Sequence, residues 1–354
     1  MDILTKIKQA GLVGRGGGCF PVALKWDMVN KAYADKKYVI CNAAEGEPGV
    51  EKDGYIIEHW SERVINGIKI AIDFLSAKKA YFYISQSYHK KYGKKLTATI
   101  GDKPIEIFIK PFTAGYIGGE ESSVLNAIEG HRQGGASTRV EPRLRPPFPA
   151  TNGLYGYPTL INNVETFYNV SLVASGEYKN ERFYTISGDC PKSGVYQLPD
   201  NFTIARVLKE TGNYPKFNFF VQVGGNASGE ILNQTQIKRP VSGAGSITVY
   251  SMEKSGFKKI IKSWLEFFVA ESCGQCTPCR EGVYRLKEII IADKIDWDLF
   301  RELLDNLAET AFCGLGCAVP IPILSFARNV LPQLADKKIE IKGANKKTIC
   351  ECFK

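Results

Sequence analysis

The apolar positions of the chain fall into three successive rhythms. Tyr38-Val39-Ile40-Cys41, Ala80-Tyr81-Phe82-Tyr83-Ile84 and Pro104-Ile105-Glu106-Ile107-Phe108-Ile109 are short, nearly continuous apolar runs. They are set apart by a helical stretch over 62–74, and such runs alternating with helices predict βαβ units and a parallel sheet. From about 181 to 251 the rhythm changes to short strands: Phe183–Gly188, Gly194–Leu198, Phe219–Gly225 and Ser246–Tyr250, around one helix near Ala205–Leu208. That order suits a small β-grasp unit. From Lys258 onward helical spacing returns, with Ile261, Trp264, Leu265 and Phe268 at i, i+3, i+4 and i+7 on one face. Further helices are expected over 281–291 and 297–310. The expected architecture is an α/β domain over 1–178, a β-grasp domain over 179–252, a helical bundle over 253–340 and a basic tail over 341–354.

Composition adds limits. A chain of 354 residues with 44% hydrophobic and 23% charged residues is large enough for several cores. No apolar run reaches the roughly 18 residues of a membrane helix, and the first residues lack the apolar stretch of a secretory signal. The expectation is a cytoplasmic protein, at most peripheral to a membrane complex. The net charge of +9 is carried by scattered lysines such as Lys78-Lys79, Lys90-Lys91, Lys94-Lys95 and Lys346-Lys347, without a nucleic-acid motif. Ten cysteines in a reducing compartment read as thiols and ligands rather than as disulfides.

The chemistry is concentrated in a few stretches. Glu271-Ser272-Cys273-Gly274-Gln275-Cys276-Thr277-Pro278-Cys279-Arg280 spaces three cysteines as C-x-x-C-x-x-C. Zinc usually draws on two separated pairs, whereas three thiolates in one loop and one distant thiolate suit an iron–sulfur cluster. Cys313 is the first candidate for the distant corner, and Cys317 is its rival. Near the N-terminus, five glycines fall within the eight positions 11–18. They let backbone N–H groups converge on an anion, as a nucleotide or flavin phosphate requires, although a flexible loop is the plainer reading. Asn42, Glu45 and Glu47 follow the first strand, where open α/β sheets bind ligands; a solvated acidic turn is the alternative. Glu120 and Glu121 open a predicted helix, where the helix dipole alone would favour carboxylates. The histidines, His59, His89 and His131, are too far apart in sequence to suggest a metal site, and Cys350 and Cys352 lie in the basic tail.

Six of these stretches together resemble one family. They are Gly14-Arg15-Gly16-Gly17-Gly18-Cys19-Phe20-Pro21, Cys41-Asn42-Ala43-Ala44-Glu45-Gly46-Glu47-Pro48-Gly49, Gly115-Tyr116-Ile117-Gly118-Gly119-Glu120-Glu121, Arg145-Pro146-Pro147-Phe148-Pro149-Ala150, Ile161-Asn162-Asn163-Val164-Glu165-Thr166 and the cysteine loop. In this order, between about Gly11 and Arg328, they are similar to the NADH-binding flavoprotein subunit of respiratory complex I and its relatives in NAD-linked hydrogenases and formate dehydrogenases. The resemblance implies FMN contacts at Gly14, Gly16, Gly17, Lys25, Asn42, Glu45, Tyr116, Gly119, Glu120, Asn162 and Asn163. It implies NAD(H) contacts at Phe20, Glu47, Glu121, Arg145 and Phe148, with Glu47 and Glu121 as the candidate catalytic carboxylates. A [4Fe-4S] cluster would be held by Cys273, Cys276, Cys279 and Cys313. Hydride would pass from NADH to FMN, and single electrons to the cluster and on to a partner iron–sulfur subunit, thioredoxin-like [2Fe-2S] or ferredoxin-like. Three positions depart from the family pattern: Ala44 replaces an aspartate, Met28 an aromatic residue and Cys19 a smaller one. An insertion over 131–139 is a fourth departure. These leave open a different hydride donor, or a relay or scaffold role without catalysis.

Overall fold

The computed structural model describes residues 1–130, 149–254 and 256–334. Arg145, Phe148, the insertion near His131, Cys350, Cys352 and the expected tail lie outside these residues.

The first region of the chain begins with α1 (Ile3–Gln9) and α2 (Val22–Lys31) and builds a four-stranded sheet. Its elements are β1 (Tyr38–Ala43), α3 (Lys52–Leu75), β2 (Lys79–Ile84), α4 (Gln86–Ile100), β3 (Ile105–Ile109), α5 (Glu121–Glu129), α6 (Pro149–Asn152), β4 (Thr159–Asn163) and α7 (Val164–Ser175). All pairings are parallel, in the order β3-β2-β1-β4. β1 and β2 are buried almost throughout, which explains their unbroken apolar sequence. The parallel sheet therefore follows the sequence pattern. α3 starts at Lys52 rather than at 62 and bends at Trp60, where the backbone leaves helical geometry (φ −137°, ψ 36°). Its polar first turn, Lys52-Asp53, resembles a loop in sequence, but the Glu45 carboxylate accepts from the Asp53 N–H (3.0 Å) and satisfies that end. α3 and α7 approach closely at Gly67, where a Cβ would stand 2.0 Å from the Phe167 carbonyl oxygen.

The middle region is a five-stranded sheet of β5 (Glu181–Gly188), β6 (Gly194–Pro199), β7 (Phe219–Val223), β8 (Glu230–Asn233) and β9 (Ser246–Ser251), with α8 (Ile204–Glu210) packed on it. The order is β6-β5-β9-β7-β8, with β5 and β9 parallel and the other pairs antiparallel. β8 does not stand out in the sequence because its four residues carry polar groups at both ends.

The last region is helical: α9 (Phe257–Glu271), α10 (Thr277–Ile291), α11 (Trp297–Thr310), α12 (Gly314–Ala318), α13 (Pro320–Asn329) and α14 (Leu331–Leu334). Its core takes in Trp264, Phe300 and Phe326 together with the three loop cysteines and Phe220 of β7. Polar contacts also stitch the middle and helical regions together. Ile231 N–H donates to Ser325 Oγ (2.9 Å), and Asn329 Nδ2 donates to the Ile231 carbonyl (2.7 Å). Among the described residues no helix is long and apolar enough to cross a membrane.

Candidate cofactor cleft and thiol cluster

A cleft of about 640 Å³ opens beyond the carboxyl ends of β1 and β4, where open parallel sheets bind ligands. One wall is the glycine loop, at Gly16 and Gly17. Gly17 has φ +109°, a conformation that favours glycine, and a Cβ on Gly16 would press on Asn163 at 3.3 Å. Asn42, Glu45, Glu47, Tyr116, Gly119, Glu120 and Asn163 also line the cleft. Asn42 is fixed by donating to the Gly119 carbonyl (2.8 Å). Glu120 caps α5, accepting from Ser122 N–H (2.9 Å) and Ser123 N–H (3.0 Å). The other walls come from Gly224, Ser228 and Ser242–Ala244 of the middle region, and from Gly314 and Leu315 beside Cys313.

Below the cleft lies a charged group of residues that the sequence pattern does not reveal. Lys52 is buried and donates to Asp53 Oδ1 (2.6 Å) and Asn163 Oδ1 (2.9 Å), with Glu165 at 3.3 Å. Asn163 Nδ2 completes the ring by donating to Asp53 Oδ2 (2.6 Å). Burial opposes the Lys52 charge, yet Asp53, Glu165 and Glu45 together raise its pKa. The signal in the sequence was the run Glu51-Lys52-Asp53 directly after a turn, which reads equally well as a solvated surface. Glu45, above this ring, accepts from Tyr88 Oη (2.7 Å). Burial and then the Asp53 carboxylate push Glu45 up to about 8, with Lys52 opposing.

Of the other expected residues, Gly14, Phe20, Lys25, Glu121 and Asn162 stand off the cleft wall. Gly14 and Phe20 close the base of the glycine loop, Gly14 N–H donating to the Phe20 carbonyl (2.8 Å). Lys25 forms an ion pair with Glu121 and donates to the Ile161 carbonyl (2.7 Å), so both charges are engaged beside the cleft rather than on its wall. Asn162 packs against the Trp26 indole N–H. Glu47 is on the wall and heavily engaged, accepting from Tyr116 Oη (2.5 Å), Ala227 N–H (2.9 Å), Ser228 N–H (3.1 Å) and Ser228 Oγ (3.1 Å). Gly225 permits this approach, since a Cβ there would lie 2.1 Å from a Glu47 oxygen.

The cysteine loop joins α9 to α10. Cys273, Cys276 and Cys279 are buried and Cys313 half-buried, all within the helical core. Burial pushes the Cys279 thiol up to about 12, Ser272 opposes, and Cys276, Cys313 and Cys273 add to the rise. Burial also raises Cys313, with the Gly316 and Leu315 N–H groups opposing and Cys273 and Cys276 adding. The four thiols thus act on one another, whereas Cys317 turns its Sγ to the Ala311 carbonyl (3.5 Å). Among the described residues no group of three His, Cys, Asp or Glu closes on a single metal ion. Four thiols gathered in one apolar core suit an iron–sulfur cluster, whose charge the thiolates share. The loop is braced by Arg280 Nη1 donating to the Gly274 carbonyl (2.6 Å) and by Ser272 Oγ, 3.4 Å from Cys279 Sγ.

A glycine-walled cleft next to four grouped thiols defines a protein built for a flavin and an iron–sulfur cluster. Two family matches bracket this arrangement: the Nuo51 FMN-binding domain over residues 7–172, and the iron–sulfur binding region of NADH-ubiquinone oxidoreductase F over residues 259–336. The chain is 31% identical to the F subunit of the NADH-quinone oxidoreductase of Aquifex aeolicus, over 89% of this chain and 81% of that protein. It is 31% identical to the alpha subunit of the NAD-reducing hydrogenase HoxS of Cupriavidus necator, over 96% of this chain and 60% of that protein. Its structure superposes on a chain of an NAD+-reducing [NiFe]-hydrogenase with a TM-score of 0.83 and 27% identity, covering 94% of this chain and 61% of that one. The chain belongs to the family of NADH-quinone oxidoreductase F subunits, oxidoreductase flavoproteins that carry an FMN-binding domain and a [4Fe-4S] region. It spans about 60% of the length of these two hydrogenase chains.

Proposed function

We propose that the chain oxidises NADH at FMN in the cleft and sends single electrons through a [4Fe-4S] cluster to a partner subunit. One observation carries this reading: Gly314 and Leu315, directly after Cys313, line the same cleft as Gly16, Asn42 and Glu45. The flavin and cluster sites therefore share a wall. FMN, when bound, supplies the conversion of a two-electron donor into single electrons, and the protein's task is placement. Gly16 and Gly17 present backbone to the phosphate, Asn42 and Asn163 offer fixed amide groups, and the Lys52 ring sets the charge beneath the cleft. Glu47 and Tyr116 hold the opposite loop in place. Phe20, exposed at the base of the glycine loop, offers aromatic surface to a nicotinamide nucleotide. Cys273, Cys276, Cys279 and Cys313 hold the cluster.

The domain limits at 178, 252 and 340 follow the same reading. The strand order of the middle region, with its single parallel pair between first and last strands, supports a β-grasp assignment. The partner is an iron–sulfur chain of the thioredoxin-like [2Fe-2S] or ferredoxin-like kind, in a complex that is cytoplasmic or peripheral to a membrane. The test is anaerobic stopped-flow mixing of the FMN- and iron-loaded protein with NADH. Rapid bleaching of the flavin absorption band is expected. A fully loaded sample that NADH and NADPH both leave oxidised would refute the assignment.

A further inference from the structure

The five-stranded sheet falls between the two family-matched regions, which end at 172 and resume at 259. It nonetheless supplies one wall of the cleft, at Gly224, Ser228 and Ser242–Ala244. Arg182 grips the Ser242–Ala244 wall. Arg182, buried on β5, donates from Nη1 to the Val241 carbonyl (3.1 Å) and from Nη2 to the Gly243 carbonyl (2.9 Å). Gly245, at φ +83°, leaves room for that guanidinium, since a Cβ there would meet Arg182 Nη2 at 2.9 Å.

The glycine loop on the facing wall is anchored through its backbone. Arg15, between Gly14 and Gly16, turns its buried side chain away from the cleft, and its backbone N–H donates to Thr166 Oγ1 (3.0 Å). Asp200, just past β6, joins the two arginines. Its Oδ2 lies 3.0 Å from Arg15 Nη2 and its Oδ1 lies 3.6 Å from Arg182 Nη1. One carboxylate thus links the guanidinium that grips one wall with the guanidinium of a residue in the other, and the walls converge where a Cβ on Gly17 would reach 3.9 Å from Ala244 N. Removing the anion between them leaves the two guanidiniums to repel each other, with Glu165 as the carboxylate that still acts on Arg15.

We propose that the Arg15–Asp200–Arg182 bridge turns the five-stranded sheet into a structural wall of the FMN cleft, with Asp200 and Arg182 as positioning residues for flavin binding. This rests on reading the cleft as the flavin site. The bridge sets the separation of the glycine loop and the Ser242–Ala244 wall, and so the width of the space offered to an anionic, ribityl-linked ligand. Replacing Asp200 with a neutral residue widens the cleft by repulsion. Exchanging Arg182 for lysine keeps the charge but loses the fork that grips two carbonyls at once.

The experiment is titration of the flavin-stripped full chain with FMN, read by quenching of flavin fluorescence, beside hydrogen exchange of the 241–245 amides. Asp200→Asn is expected to weaken FMN binding about tenfold or more, a difference readily resolved in such a titration. It should also speed exchange at 241–245, and Asp200→Glu should restore both. Leu208→Ala, a cavity in the core of the five-stranded sheet, should lower thermal stability and leave FMN affinity unchanged. If Asp200→Asn does not fold, Arg182→Lys carries the test, with weaker FMN binding expected. Wild-type affinity in a folded Asp200→Asn or Arg182→Lys protein overturns the proposal, as does an equal loss of affinity in Leu208→Ala. A wild-type chain that takes up no FMN overturns the reading of the cleft itself, and this inference with it.

Discussion

The floor of the cleft and the shell of the thiols solve opposite electrostatic problems a short distance apart. The floor buries Lys52, Asp53 and Glu165, and each charge meets an opposite charge or an amide within about a hydrogen bond's length. It draws its counter-charge from within the protein. The thiol shell buries Cys273, Cys276 and Cys279 among Trp264, Phe268 and Leu307, and burial raises Cys279 and Cys313 toward their neutral forms. What opposes that rise is a hydroxyl, at Ser272, and the N–H groups of Leu315 and Gly316, dipoles rather than full charges. Metal binding expels protons from such thiols, so iron bound here would complete this half, whereas the other needs none.

The comparison breaks most sharply at the thiols. Cys279→Ser should abolish the low-temperature paramagnetic signal of the reduced protein and lower its iron content, and Cys313→Ser should do the same. Cys317→Ser should leave both unchanged, and iron loss in that variant would mean that the fourth corner has been misassigned. Next in size is the floor. Lys52→Met strands Asp53 and Glu165 without their cation, and breaking a buried pair in this way costs about 3–5 kcal/mol. Chemical denaturation should register that loss with iron content unaffected, which separates floor from shell.

A third test concerns Glu45, whose pKa rises from an ordinary 4.5 to about 8 in the fold. A carboxyl raised on folding holds its proton where the unfolded chain has lost it. Stability from this group is therefore present below about 4.5 and is lost as pH rises toward 8. In Glu45→Gln, melting temperature should fall less between those values than in the wild type. Some slope should remain, because burial also raises Asp53. An unchanged pH profile would show that Glu45 is ionised and well solvated in the fold.

The sequence carried the strands of the parallel sheet because burial on both faces forces unbroken apolar runs such as 38–41. It carried the cysteine loop because ligand spacing is local. It hid Lys52 and Asp53 because a charged pair reads the same in sequence whether solvated or buried, and only the fold supplies Glu165 and Asn163 as partners. The contribution of the middle sheet was also hidden. Its glycines at 224, 225 and 243 look like turns, and what Gly225 approaches is Glu47, far away in the chain. Glu47 and Glu121 were legible as residues but not in their pairing, since Tyr116, Ser228 and Lys25 reach them only through the tertiary structure.

The amide of Tyr116 donates to the carboxylate of Glu271 (2.7 Å), which stands two residues before Cys273. This bond bears on engineering. The helical region is not a cassette that can be grafted onto another flavoprotein by cutting at its first residue. An exchanged cluster segment whose residue at 271 cannot accept would leave a half-buried peptide N–H at the cleft wall without that partner. The 115–119 loop and the Glu271 end of α9 would have to travel together in any chimera.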